Sequence, residues 1–364
     1  MTITVRPNDF ARAVAPIISL TGGSTIPALA NFRIRHEAGT LSITATNLEI
    51  TATIKIPAQG DDIDIMVEAK IFTKLMGSIP DDTVSITIGN GNNGITVKHG
   101  AGKASIPIWP GSDFPSPQET GNGIAFDMPA DAVGRMVARC AHSIGGDTLR
   151  PVMMGYNLLS GDGHLRCLTT DATMGTIYET AVPYAGTDIN VTVPAPAMAM
   201  AGTLFTLGCQ CFIDDTSITF LAEHAEVVCR LIDHPFPSLD KVVPRNGTNV
   251  LTVDRDVLMV ALRRVGITEQ KDTHRVIFHL SGSDHVALSS ENLDMAMEGQ
   301  EDVLCTYEGE PMDIAFSSQL MASVVKTMPK SIRMVMSTPK RGVVITGIDD
   351  TEDVTALLMP IMIL

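Results

Sequence analysis

The chain has 364 residues, 45% of them hydrophobic and 18% charged, which is enough apolar surface for a large buried core in two or three domains and excludes disorder. Aromatic residues make up 4% against 20 Met and 30 Gly, pointing to aliphatic sheets with thioether filler rather than large aromatic pockets for bases or sugars. With Lys+Arg 26 against Asp+Glu 41 the formal charge is −15, a field that repels phosphate backbones and anionic membranes, so any contact with nucleic acid has to be local or topological.

The opening MTITVRPNDF lacks a basic region followed by an apolar run and reads as a cytosolic start. ITVRP then reads as a short strand, followed by an amphipathic helix with Phe10 and Val14 on its buried face. GTLSITATNLEITATIKI alternates as a hairpin with a polar kink at Asn47. IDIMVEAKIFTKLMGSIP is a strand and a helix ended by Pro80, and VSITIGNGNNGITVKHGAGKASIPI returns to strands.

The same series recurs with a period of about 120 residues. Its second copy runs through IAFDMP, a helix with Val133 and Val137, GHLRCLTTDATMGTIYETAV with its kink at Asp171, INVTVPAPAMAMAGTLFTLG and SITFLAEHAEVVCRLID. The third runs through NVLTVD, a helix with Leu258 and Leu262, DHVALSSENLDMAMEGQEDV with its kink at Asn292, MDIAFSSQLMASVVKTMP ended by Pro329, and IRMVMSTPKRGVVITGIDDTEDVTALLMPIMIL. The linkers DFPSPQETGNG and HPFPSLDKVVPRNG are rich in Pro, Gly and Asn and place the domains at 1–121, 122–247 and 248–364. The expected fold is α+β: three similar domains, each built from two half-repeats of strand, helix and strands.

Other signals carry less. The uncharged stretch from Val193 to Phe212 is broken by Pro194, Pro196 and Gly202, against a membrane span. Cys140, Cys167, Cys209, Cys211, Cys229 and Cys305 show no CxxC spacing and read as reduced, mostly buried thiols. GNGNNG at Gly89 to Gly94 joins two strands and reads as a hairpin loop rather than a dinucleotide turn. Asp61, Asp62 and Asp64, and Asp349, Asp350, Glu352 and Asp353, read as solvated acidic loops; His224, Cys229, Asp233 and His234 fit strand alternation better than a nucleophile and base.

Lys70 and Lys74, and Arg135 and Arg139, are i,i+4 pairs that each share a helix face, while Arg263, Arg264, Lys326 and Lys330 fall at or near other helix ends. Each pair is open to two readings, a solvated face or a lining that meets phosphates.

The sequence resembles the bacterial DNA polymerase sliding clamps, the beta subunits of replicative polymerases, over essentially its full length. The resemblance rests on LTGGSTIPALANFRIRHEAGTLSITATNLEI, the DFP ending the first repeat, LRPVMMGYNL, LIDHPFPSLDKVVP and the terminal MPIMIL, in that order. It implies a head-to-tail homodimeric ring with sheets outside and helices lining a hole for duplex DNA. About twelve helices at about 10 Å each give a circumference of roughly 120 Å, or about 38 Å across, wide enough for a hydrated duplex. The function implied is non-catalytic: a cytoplasmic processivity factor that holds a polymerase on DNA by enclosing it, without cofactor or metal. The cation pairs named above would face the DNA.

The partners implied are a polymerase, a clamp loader and repair proteins, which dock by short peptides in a pocket. On matching positions that pocket would use Arg150, Met153, Thr170, Pro237, Val242, Leu320, Leu357, Met359, Pro360, Ile361 and Met362. A Met-rich terminal run suits such a surface, and Pro360 cannot donate to a ladder, so the chain beyond it is expected to leave the sheet. The ring interface implied joins the strand around Ile106 and Ile108 to the helix end around Val265 and Ile267, using an otherwise hazardous apolar sheet edge.

The chain departs from the family pattern in several places. Ala172, Thr173, Met174 and Gly175 stand where Gly-His-Arg-Leu is common, Pro151 and Val152 where Tyr-Tyr is common, and Ser24 where an arginine is often found; the terminus lacks an arginine. Two rival readings are a specialised clamp paralogue with altered peptide preference and, in a different class, an enzyme on a repeated α+β scaffold.

Overall fold

The computed structural model describes residues 1–23, 25–80, 82–88, 94–100, 102–115, 123–244, 246–281, 284–348 and 352–363. Ser24, most of GNGNNG, much of the first linker, and Asp349 and Asp350 lie outside the described residues. The described chain forms two compact units, one of 1–134 with 196–231 and the other of 135–195 with 232–364.

Six helices occur among the described residues: α1 (Pro7–Val14), α2 (Ala69–Ser78), α3 (Ala132–Cys140), α4 (Ala195–Leu204), α5 (Arg255–Val265) and α6 (Ser318–Val325). Local chemistry sets their starts. Pro7 opens α1 with a pre-set φ, and the side chains of Glu68, Asp254 and Ser317 accept first-turn amides of α2, α5 and α6. Phe10 and Val14 of α1 and Leu258 and Leu262 of α5 are buried as the sequence spacing requires. In α3 the buried face is Val133, Met136 and Cys140, leaving Val137 half-buried, because a 3.6-residue period carries the stripe through i+3 and i+7. Phe10 meets Phe72 of α2 edge-on at 5.0 Å, which clamps α1 to α2 with about 1 kcal/mol beyond area burial.

The first unit carries a 13-stranded sheet and the second a 12-stranded one, with the pairings among the described strands antiparallel. Each sheet is continuous because strands of the middle repeat complete it. In the first unit Ala225–Arg230 pairs with Ile50–Pro57, setting Cys229 opposite Ile50; in the second Asp353–Leu358 pairs with Met174–Pro183, setting Leu358 opposite Met174.

The polar kinks read from the sequence are the hairpin turns. Asn47 Oδ1 accepts the amides of Glu49 and Ile50, Asp171 Oδ1 those of Thr173 and Met174, and Asn292 Oδ1 that of Met295. Leu48 and Ala172 sit at φ 76° and 74° beside these caps, a strain the side-chain bonds offset.

Candidate functional site

In the second unit the strand 353–358 ends at Leu358, and beyond Pro360 the tail quits its former neighbours and touches the end strand Met312–Ser317, Ile361 bridging Ala315. Leu357 is buried, whereas Met359 and Met362 are 40% and 63% exposed, so the tail presents thioethers to solvent. Leu357 and Leu239 lie over Gly175, where an added Cβ would stand 3.7 Å from Leu357 and 3.4 Å from Leu239. The room left by a glycine where the family commonly has leucine is thus closed by these two leucines, and Leu239 also joins a cluster with Leu168 and Ile177, packed by Phe236 and Val243. Pro237 is half-buried beside this cluster.

Thr170 is buried and donates to the Met174 carbonyl at 2.6 Å, closing the hairpin from within; it holds the wall rather than facing outward. The Met174 thioether receives Ser323 Oγ of α6 at 3.8 Å, and half-buried Leu320 lies one turn earlier on that helix. Arg150 is exposed and leans on Asp147 at 3.8 Å, while Met153 is half-buried with its carbonyl accepting the Gly145 amide.

Beside Met359 opens a cleft of about 630 Å³ with apolar walls of Val242, Val243, Pro244 and Met359. Its rim carries Lys241, Lys340 and Arg341 with Asp240. Met359 Sδ rests on Gly342, where an added Cβ would stand 3.1 Å away and press the thioether outward. Asp240 is gripped through both oxygens by Arg166 at 2.9 and 3.1 Å. Bonding to Asp240, opposed by burial and reinforced by Glu179, pushes the Arg166 guanidinium further up.

The cations differ sharply in what they face. Lys70 and Lys74 on α2 are exposed and make no ion pair among the described residues. Arg139 on α3, its side chain 23% exposed, meets Glu352 at 2.5 Å and donates to the Thr327 carbonyl; Arg135 reaches the same Glu352 at 3.5 Å, and Tyr178 bonds it at 3.2 Å. Burial first and Glu352 second push the Tyr178 hydroxyl up to about 12. Arg264 meets Glu301 at 3.3 Å and Lys330 approaches Asp254 at 4.0 Å, whereas Arg263 and Lys326 are exposed without an ion pair among the described residues. Sequence spacing missed Glu352, which it grouped with a solvated acidic loop.

The strand expected at an interface buries its own apolar side chains. Ile106 and Ile108 are 7% and 6% exposed and face their own core, as does Val265, because the alternation of Gly102–Pro110 turns them inward; Ile267 is 74% exposed. What 102–110 offers outward is Trp109, 43% exposed, and a backbone edge: residues 102–107 pair on one side with Gly94–His99, and no described strand takes the other. Met297–Glu308 likewise pairs over 297–304 with His285–Asn292 alone.

Burial pushes the thiols of Cys140 and Cys211 well up, that of Cys229 to about 12 and that of Cys305 to about 11, holding them protonated and unreactive. His224 bonds the Leu204 carbonyl at 2.8 Å and takes no part with Cys229. Among the described residues no cluster of three or more His, Cys, Asp and Glu could hold a metal, and no helix is long and apolar enough to cross a membrane.

Sequence profiles of the DNA polymerase III beta subunit match twice, the N-terminal domain at residues 1–118 and the C-terminal domain at 240–362. Curated relatives include the beta sliding clamp of Caulobacter vibrioides, 24% identical over 89% of this chain and 90% of its own. That of Vibrio cholerae is 22% identical over 99% and 100%. The solved sliding clamp of Bacillus subtilis superposes with a TM-score of 0.92 at 18% identity, and that of Pseudomonas aeruginosa bound to griselimycin with 0.93 at 20%, each over the whole of both chains.

Proposed function

The chain belongs to the DNA polymerase III beta subunit family, the sliding clamps, and from that premise we propose that it closes around duplex DNA as a ring of two copies and tethers a polymerase to it. It is a non-catalytic processivity factor, acting in the cytoplasm through topology and weak, sequence-independent phosphate contacts. Its chain divides into three repeats at 1–121, 122–247 and 248–364, the middle one lending strands to both sheets.

One observation carries the ring: two equivalent seams lie within the chain and the strands of a third are left open. Trp109 opposite Met66, the Ile232 amide on the Thr192 carbonyl, and Ile361 opposite Ala315 are corresponding positions, so Ile106, Cys229 and Leu358, each three residues earlier, correspond too. Cys229 faces Ile50 and Leu358 faces Met174, the residues that close their hairpin turns against Asn47 and Asp171. In the third repeat Met297, opposite Asn292, holds that place. The edge of 102–107 therefore meets the edge of 297–304 in a second copy, with Ile106 opposite Met297 and Ser105 opposite Glu298, and head-to-tail repetition closes at two chains.

The third seam is weaker than the other two. The amides of Arg230 and Met359 bond across their seams to Glu49 and Thr173, but the corresponding residue is Pro107, which has no N–H. Loading onto DNA requires a ring that opens, and one seam lacks a bond.

Partners dock on the Met-rich tail and cleft of the second unit, which is the region that Leu357, Met359, Pro360, Ile361 and Met362 build. Removing 359–364 should abolish peptide binding and leave the ring assembled. The interface is tested by Ser105→Cys with Glu298→Cys: oxidation should give a covalent dimer on a denaturing gel, absent from either single variant. Equal cross-linking by Ser105→Cys paired with Glu308→Cys would show the register to be wrong.

A further inference from the structure

The cleft beside Met359 has a feature that an apolar peptide anchor does not use. In a chain of formal charge −15, three exposed cations, Lys241, Lys340 and Arg341, stand around one opening, and none makes an ion pair among the described residues. The carboxylate on the same rim, Asp240, turns both oxygens to Arg166. The rim is therefore net positive, while the floor is Val242, Val243, Pro244 and the Met359 thioether seated on Gly342.

We propose that this cleft binds the acidic flank of a partner peptide whose apolar anchor lies on the Met-rich tail. The proposal rests on the docking site assigned above and adds its chemistry: the anchor supplies apolar burial, and Asp or Glu beside it supplies charge complementarity to Lys241, Lys340 and Arg341. A peptide fits better than a nucleic-acid backbone because the cations rim a concave apolar surface continuous with the tail, rather than a flat polar one. In a molecule of net negative charge, a local cationic rim also orients an acidic segment as it approaches.

The test is selection of random dodecapeptides displayed on phage against the immobilised full-length protein and against Lys340→Ala/Arg341→Ala, two substitutions on an exposed turn whose unchanged melting temperature confirms folding. The wild type should enrich apolar residues flanked by Asp or Glu, and the variant should keep the apolar residues and lose the acidic ones. A selected peptide should bind the wild type about tenfold more tightly than its Asp→Asn form at low salt, falling to about twofold at high salt. Apolar peptides without acidic enrichment on the wild type, or enrichment the variant does not lose, overturn the inference and leave the docking site standing. Recovery of no peptide family overturns the docking site itself. Loss of duplex retention in the variant with peptide selection unchanged assigns the cations to DNA and overturns the inference as well.

Discussion

Helices α2 and α3 each carry two cations four residues apart, yet the two pairs do different things. Lys70 and Lys74 stand in solvent, free of ion pairs among the described residues, while Arg135 and Arg139 converge on Glu352 from the terminal hairpin, where Tyr178 also bonds. Spacing puts two side chains on one face of a helix; what that face meets is decided by residues far away in sequence, here more than two hundred positions on. A lysine on a flexible stem suits a weak, sliding phosphate contact, whereas the planar guanidinium of Arg139, between a carboxylate and the Thr327 carbonyl, suits a fixed tie.

The largest expected effect that separates the two regions is on pH. His142 follows α3 directly, is held neutral by burial at about 4, bonds Thr176 at 3.0 Å through Nε2, and leaves Nδ1 without a partner among the described residues. The unfolded chain takes up a proton near 6.5 that the folded chain refuses until about 4, so the stabilisation is whole above 6.5 and is lost as pH falls toward 4. The loss amounts to about 3 kcal/mol across that window. Protection factors of the α3 amides, which allow for the slower intrinsic exchange at low pH, should fall there while those of α2 hold, and His142→Gln should flatten the dependence; an equal fall in both helices would remove the contrast.

Next comes Arg139→Met, which keeps the stem and removes the tie. It should cost about 2 kcal/mol in the local stability of α3, because Glu352 and the Thr327 carbonyl lose a shared donor in a partly buried site. Lys70→Ala with Lys74→Ala should change stability by less than about 0.5 kcal/mol. The log–log salt slope of DNA binding should nonetheless fall by about two. If the lysine variant melts early, or the arginine variant loses as much salt slope as the lysine one, the division between sliding contact and structural tie fails.

The repeat, the helix ends and the hairpin kinks were legible because each rests on short-range chemistry: Pro80 and Pro329 stop helices, and Asn47, Asp171 and Asn292 cap turns with their own side chains. The tail was legible in part through Pro360. The inward turn of Ile106 and Ile108 was not, since strand alternation does not say which face is the core until the opposing helices are placed. Nor was the tie at Glu352, or the grip of Arg166 on Asp240 that leaves Lys241, Lys340 and Arg341 unopposed, because both depend on chain segments brought together only by the fold. Consecutive cations in the TPKRG turn of an acidic chain were the available signal.

The most direct test is retention on singly nicked circular duplex DNA after loading, followed by linearisation of the circle. A ring held by topology stays on circles and runs off linear ends, and the cross-linked Ser105→Cys/Glu298→Cys dimer, closed before DNA is added, should fail to load at all. Equal retention on circular and linear DNA would mean ordinary electrostatic binding and would contradict enclosure of the duplex.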